Sequence, residues 1–403
     1  MARILLLTPQ LPYPPQQGTS LRNFHMLKAL AQKHQVTLLS FTEAEDLSED
    51  NSPLNDLCRV LPSVPVPIRS TGARIKTVLT TSLPDIAFRL KSDDFSAALA
   101  EALAEPYYDA VQVEGIELAS YIDLIRSCSP DTQIVLDCHN AETELQRRAF
   151  QSDLHRISRW PAGVYSFIQF QRLTRFERGV LAEADSIIAV SETDRDQFMK
   201  LIKRDYKEVR IIPNTIDITE YTSPPLENEH IKYDLVFTGK MDYRPNIDGV
   251  LWFAETVWPL IQDQRPQTTL AIVGQRPHQR LAGLQQGNGI TITGRVPKVQ
   301  PYLHGASIFI VPLRIGSGTR LKILEAMAAG KPVVSTSVGA EGFDVSDGED
   351  IIIADTPEDW ASAILRLLNN PGLRKELGSA AKDFSARYDW RHIVPLLSTI
   401  YPD

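Results

Sequence analysis

Cysteine is scarce: Cys58, Cys128 and Cys138 are the only three in 403 residues, an odd number with no metal-ligand spacing. That excludes a disulfide framework and points to a reducing, cytoplasmic setting. Long apolar runs are missing too. No stretch approaches the roughly 20 residues of a membrane helix, and the apolar run in the opening Met-Ala-Arg-Ile-Leu-Leu-Leu-Thr-Pro is too short for a secretory leader. Nor is there an excess of positive charge. The formal net charge of −8 argues against a nucleic-acid binder, which needs a basic field to meet a phosphate backbone. The first strand is not followed by a Gly-x-Gly-x-x-Gly turn, which argues against a dinucleotide-dependent dehydrogenase.

What is present is an ordinary globular composition, 43% hydrophobic and 23% charged, over a length that suits two domains. Short runs rich in Val, Ile and Leu alternate with helix-spaced stretches. Strands are expected at 3–8, 35–41, 110–113, 134–137, 186–190 and 209–212, with helices at 21–33, 94–104 and 172–184. The polar, proline-bearing stretch 213–233 reads as a linker between residues 1–212 and 234–387. The alternation then restarts, with strands at 235–238, 269–273, 290–293, 308–311, 332–335 and 350–353 and helices at 247–261, about 319–329 and 357–368. The fold class is therefore α/β: two Rossmann-like domains, each a parallel sheet flanked by helices, facing each other across a cleft.

Residues 311–343 are the most informative. A strand ends at Pro312, and Gly316-Ser317-Gly318 opens a helix whose buried face carries Leu321, Leu324, Met327 and Ala328. Ser317 or Thr319 is placed to cap it, and Gly330 with Pro332 ends it. The N–H groups of such a helix start hold anions. Arg320 and Lys322 add full charges there, and Glu325 offers a carboxylate to a ribose diol. The plainer reading is a capped, solvent-facing helix with solvated cations and Glu325 paired to one of them. Composition alone does not separate the two.

This stretch resembles the signature of family 4 retaining glycosyltransferases. Glu325-Ala326-Met327-Ala328-Ala329-Gly330-Lys331-Pro332-Val333-Val334 matches its second half, which implies that Glu325 binds the nucleotide ribose. The first glutamate of the signature falls on Ser317, a departure shared with the exopolysaccharide-associated subgroup that the run 312–325 resembles. The resemblance implies the GT-B fold, with residues from about 388 to 403 crossing back onto the acceptor-binding first domain. In the loop 237–246, Gly239, Lys240 and Arg244 are expected at the donor diphosphate. Pro245 occupies the place of a second family cation, so Arg320 or Lys322 is expected to supply the lost charge. Gly318 and Thr319 belong to the donor loop, Val296 to base recognition, and Gly18 to the approach of acceptor and phosphate. His139 matches a histidine near the donor sugar.

The activity implied is transfer of a hexosyl unit, with retention, from a nucleoside diphosphate sugar to a hydroxyl of a glycan or lipid-linked acceptor. His139, Lys240 and Arg320 are the expected catalytic groups. No cofactor or metal is called for, and Asp194-Arg195-Asp196 is expected as surface charge on a helix. Architecture alone also admits a nucleotide-sugar epimerase or a silent nucleotide-sugar binder. The arginines from Arg147 to Arg178 suggest either a solvated helix face or a peripheral contact with anionic lipid at the inner membrane face.

Overall fold

The computed structural model describes residues 1–15, 18–43, 52–70, 72, 77, 80–104, 107–154, 160–202, 209–223, 231–285, 289–316 and 318–401; for residues 52, 148, 149, 151–154 and 160–164 only the backbone is described. Ser317, Arg156 and Arg159 thus lie outside the described residues, as does part of the expected linker. The chain divides into two compact units, Met1–Thr215 with Trp390–Asp403, and Ile216–Asp389.

The first unit is built on a parallel sheet. Its strands are β1 (Arg3–Thr8), β2 (Gln35–Thr42), β3 (Arg59–Val60), β4 (Val64–Pro65), β5 (Ala110–Glu114), β6 (Gln133–Cys138), β7 (Ser186–Ala189) and β8 (Val209–Ile211). The order is β3-β2-β1-β5-β6-β7-β8, with β4 alongside β2. Both faces are covered, so the central strands are mostly apolar rather than alternating, with Gln112, Glu114 and Asp137 among the buried polar exceptions. Leu5 and Leu7 of β1 enter one core cluster, with Val111, Val113, Phe95 and Leu136. Ile4 and Leu6 enter the other, with Leu38, Met26, Trp390 and Tyr401. That split follows the two-residue pleat of a strand. The returning segment Trp390–Tyr401 is thus part of the first unit's core.

The second unit carries β9 (Tyr233–Thr238), β10 (Leu270–Val273), β11 (Ile290–Gly294), β12 (Ala306–Val311), β13 (Val333–Ser335) and β14 (Ile352–Ile353). They form a parallel sheet in the order β11-β10-β9-β12-β13-β14. In each sheet the order reverses beside the first strand, between β1 and β5 and between β9 and β12. Loops leaving the carboxyl ends of such a pair diverge and leave a crevice for ligands.

Several expectations need correction. The helix expected at about 319–329 is Leu321–Ala328, two residues later at its start, with Arg320 at the N-cap and no side-chain cap from Thr319. Positive φ at Gly316 (134°) and Gly318 (74°) keeps the approach out of helical geometry. Its end follows the sequence: Lys331 N–H reaches Ala326 O at 3.0 Å, and Gly330 N–H, in the left-handed region, reaches Met327 O at 2.8 Å. The helix expected at 172–184 extends back over Trp160–Glu183. Asp194 is not surface charge. It is buried, accepts the Ala141 N–H at 3.1 Å and binds the Ser191 hydroxyl. The first part of the expected linker is folded, with Asn214, Thr215, Ile216, Asp217 and Tyr221 buried.

Candidate active site

In the second unit, candidate site side chains collect at the β9–β12 reversal. β9 ends in Phe237 and Thr238, and the chain turns through Gly239 and Lys240 into the helix Arg244–Trp252. Asn246, on the first turn of that helix, donates to the Lys240 carbonyl at 2.8 Å and accepts the Lys322 ammonium on Oδ1 at 3.0 Å. Lys322 Nζ also lies 4.2 Å from the centroid of the Phe237 ring, a cation–π contact. Gly239 makes this approach possible: a Cβ there would meet Lys322 Nζ and Asn246 Nδ2, each at 2.7 Å. Lys322 therefore reaches from the helix after β12 to the loop after β9.

Burial pushes the Lys322 ammonium down to about 7, Arg320 pushes the same way, and Glu325 opposes them. Glu325 lies three residues along the same helix face. Its carboxyl is raised by burial, against the lowering effects of a Tyr221 hydrogen bond and of Lys322. That bond runs from the Tyr221 hydroxyl to Glu325 Oε1 at 3.2 Å. Arg320 points elsewhere. It is buried, donates to the Val338 carbonyl at 3.2 Å, and its Nη2 lies where a Cβ on Gly316 would approach to 3.0 Å. The Lys240 side chain is half-buried, Arg244 exposed, Thr319 and Gly318 half-exposed, and Val296 half-buried after β11. Strand-end glycines knit these loops together: Gly239 N–H donates to Val273 O at 2.9 Å and Gly274 N–H to Gly294 O at 3.2 Å.

The first unit has its own polar cluster at the β1–β5 reversal. Gly18 is exposed and starts the helix Gly18–Leu30. That helix delivers Arg22, buried, to Asp137 at the end of β6 at 2.7 Å. Arg22 also donates to Ile212 O at 3.1 Å and Asn214 Oδ1 at 3.0 Å. Next to Asp137, across the β5–β6 register, stands Glu114. His139 Nε2 lies 2.8 Å from Glu114 Oε2. Burial alone would lower the His139 ring, but the hydrogen bond and charge of Glu114, with Asp137, hold it above the usual histidine value. Burial and then Asp137 raise Glu114, against His139 and Arg22.

Glu114, Asp137 and His139 also offer three ligand atoms within 4.8 Å of one another. The sequence alone does not show this group, because Glu114 ends β5 while Asp137 and His139 lie at the end of β6. In this fold Asp137 faces the Arg22 guanidinium and Glu114 faces His139, so the charges compensate one another. Below them Glu177 accepts the backbone N–H groups of Glu142 and Thr143, both at 3.1 Å, at the start of the helix Glu142–Leu154. Burial and neighbouring carboxylates push Glu142 up to about 7; burial foremost, with Asp194, does the same for Glu177.

Sequence reasoning thus missed Glu114, Asn246, Tyr221 and Glu177. The one available signal was a pair of polar residues, Gln112 and Glu114, set two apart in a short buried strand, Ala110–Glu114. Of the arginine-rich region, Arg147 pairs with Glu144 at 2.6 Å, and Arg175 and Arg178 are exposed on the helix Trp160–Glu183 together with Tyr165, Phe167 and Ile168. Among the described residues, no helix is long and apolar enough to cross a membrane.

The comparisons agree with this architecture. Residues 17–220, more than half of the chain, match the family described as Glycosyltransferase Family 4, and residues 232–370 match Glycosyl transferases group 1. An uncharacterized 44.6 kDa protein in the cps region of Klebsiella pneumoniae is 24% identical over 408 residues, covering 98% of both chains. Among solved structures, sucrose-phosphate synthase of Thermosynechococcus elongatus superposes with a TM-score of 0.71 at 19% identity, over 100% of this chain and 98% of that one. HepE of Anabaena, in complex with UDP, superposes with a TM-score of 0.67 at 14% identity, over 99% of both chains. Each unit is a parallel α/β sheet with its polar cluster at the strand-order reversal, and with these matches the chain belongs to glycosyltransferase family 4, with the GT-B fold.

Proposed function

We propose that this glycosyltransferase moves a hexosyl unit from a nucleoside diphosphate sugar to an acceptor hydroxyl, with retention, and that the second unit binds the donor. One observation carries the donor reading: Lys322 Nζ, Asn246 and the Gly239 backbone converge beside the start of the helix Leu321–Ala328, with Glu325 on the same helix. A leaving diphosphate gathers negative charge, and fixed cations with helix N–H groups stabilise it without reorganising. Lys322 and Lys240 supply that charge, with Arg244 at the rim and the backbone of Gly318 and Thr319 at the helix approach. Glu325, held by Tyr221, accepts the ribose hydroxyls, and the backbone around Val296 meets the base. Ser317 belongs to the donor loop by sequence. Arg320 braces that loop and adds long-range charge. In the first unit, Gly18 leaves room for the acceptor, and His139 donates to an oxygen of the sugar or acceptor.

A uridine nucleotide is the first candidate, since HepE was solved with UDP and with UDP-glucose. A polysaccharide or glycolipid precursor is the acceptor class, in line with the cps-region relative. No cofactor or metal enters this scheme. The enzyme works in a reducing compartment, on the cysteine count, and the exposed Arg175 and Arg178 with Tyr165 and Phe167 form its contact with anionic lipid. Thermal-shift titration with a panel of nucleotide sugars tests the donor, since a bound ligand raises the melting point with its affinity. UDP-glucose is expected among the stabilisers, and a panel without any stabiliser sinks the reading. Transfer of labelled sugar to a second molecule then separates a transferase from an epimerase or a silent binder, and flotation with anionic vesicles tests the lipid contact.

A further inference from the structure

Behind His139 runs a line of polar side chains that the transfer scheme does not use. The Tyr401 hydroxyl donates to Gln112 Oε1, Gln112 Nε2 donates to Glu114 Oε1, and Glu114 Oε2 meets His139 Nε2 at 2.8 Å. Gln112 and Glu114 are two residues apart on β5 and so share a face. Both have no exposed surface and Tyr401 is 1% exposed, so water does not compete for these bonds. The line has a direction. A tyrosine hydroxyl has one proton to give, and here it goes to the Gln112 carbonyl oxygen. That turns the amide NH2 toward the carboxylate. The reverse orientation would set the amide oxygen against Glu114, acceptor against acceptor.

We propose that Tyr401, Gln112 and Glu114 are positioning residues that hold the His139 ring with Nε2 against Glu114 and reserve Nδ1 for an oxygen of the sugar or acceptor. The proposal rests on the reading of His139 as a substrate-contacting group. With Nε2 held against a carboxylate, the protonated ring is favoured, and in that form Nδ1 is a donor rather than a base that takes the acceptor's proton. It also gives the returning segment Trp390–Tyr401 a task at the site. The charged groups facing the ring are Glu114 from β5, Asp137 from its own strand and Arg22 from the helix Gly18–Leu30, with Glu142 from the helix that follows. The raised titration of His139 agrees with a ring held against a buried carboxylate.

The test is NMR titration of the full chain carrying isotope-labelled histidine, with the His139 signals identified by their loss in His139→Gln. In the unaltered protein the His139 midpoint is expected above the ordinary histidine value. Glu114→Gln should lower its proton affinity about tenfold, one pH unit of midpoint. Tyr401→Phe, which removes only the hydroxyl, should lower it about threefold, since an unpinned Gln112 stops supporting the Glu114 charge. If Tyr401→Phe fails to fold, Gln112→Leu breaks the same link and should give a similar shift. A midpoint unmoved by Glu114→Gln overturns the proposal. One moved by Glu114→Gln but by neither of the others removes Tyr401 and Gln112 from it. Sugar transfer by His139→Gln is a separate question: full activity would dismiss the substrate-contacting role while leaving the titration result as it stands.

Discussion

Lys322 Nζ stands 3.0 Å from Asn246 Oδ1, so one amide joins the helix after β12 to the loop after β9. The same amide holds the Lys240 carbonyl through its nitrogen. A lysine seated this way has a fixed position before any ligand arrives, and little reorganisation is left for the moment of binding. Lys322→Met should weaken UDP binding by about ten- to a hundredfold, the loss of one or two charge-assisted hydrogen bonds. Asn246→Ala should give a smaller loss in the same direction. Isothermal titration with UDP measures both. Equal affinity in Lys322→Met would remove the lysine from the donor site.

Arg320 should behave differently. Its guanidinium is buried and braces the Val338 carbonyl. Arg320→Ala leaves that carbonyl without this donor, at a cost of about 1–3 kcal/mol. Its melting temperature should fall clearly, while its UDP affinity falls less than in Lys322→Met. A variant with unchanged stability but a collapsed affinity would reverse the two roles.

The sequence made the strands and the helix Leu321–Ala328 legible because the signals are local. Apolar runs of four residues mark β1 and β12, shorter Val- and Leu-rich runs mark β5 and β9, and Gly330 with Pro332 marks the helix end. Contacts made by residues far apart in the chain were not legible. Arg320 and Lys322 are near neighbours with the same charge, and only the packed structure sends one to Val338 and the other to Asn246. Glu114 and His139 are 25 residues apart and meet because β5 and β6 pair in parallel register. Tyr401 reaches Gln112 across 289 residues. Asp194, read as surface charge, faces inward because the Ala141 N–H needs an acceptor.

The depressed Lys322 ammonium predicts a pH signature. Its ordinary value is 10.5 and the folded protein holds it at about 7, so between these values the folded state carries fewer protons than the unfolded. Stability of the second unit should therefore rise with pH across that window. An anionic diphosphate favours the charged form, so UDP binding at pH 8 should take up a proton. Calorimetry in two buffers of different ionisation enthalpy reads this uptake directly. It should be present in the unaltered protein and absent in Lys322→Met. If the variant keeps the uptake, another group is titrating.

Arg22 and Asp137 predict a stability effect in the first unit. The pair is buried, with the guanidinium held also by Ile212 O and Asn214. Arg22→Met leaves a buried carboxylate without its cation and should cost about 3–5 kcal/mol. Adding Asp137→Asn should recover part of that loss, because the uncompensated charge is gone. The transition of the first unit in a calorimetric scan is the measurement, since two units need not unfold as one. A double variant no more stable than Arg22→Met would mean that the contacts of Arg22 to Ile212 and Asn214 dominate.

Gly274 controls the seat of Lys322 without touching it. A Cβ at this position would lie 1.7 Å from the Gly239 carbonyl oxygen, an overlap that only a backbone shift can relieve. The φ of 156° is one that L side chains rarely adopt, so backbone strain adds to the overlap with the neighbouring strand end. Gly239 cannot move freely, since Lys322 Nζ and Asn246 Nδ2 already occupy the space where its own side chain would be. Displacing it separates the β9 loop from the helix that carries Lys322 and Glu325. Gly274→Ala should cost about 1–3 kcal/mol of stability, as overpacking does elsewhere, and should weaken UDP binding by at least as much as Asn246→Ala. Gly283→Ala is the control, with nothing within 4 Å of its added Cβ, and it should bind UDP as the unaltered protein does. If both alanine variants bind UDP equally well, the close approach of the two strand ends is not what shapes the donor site.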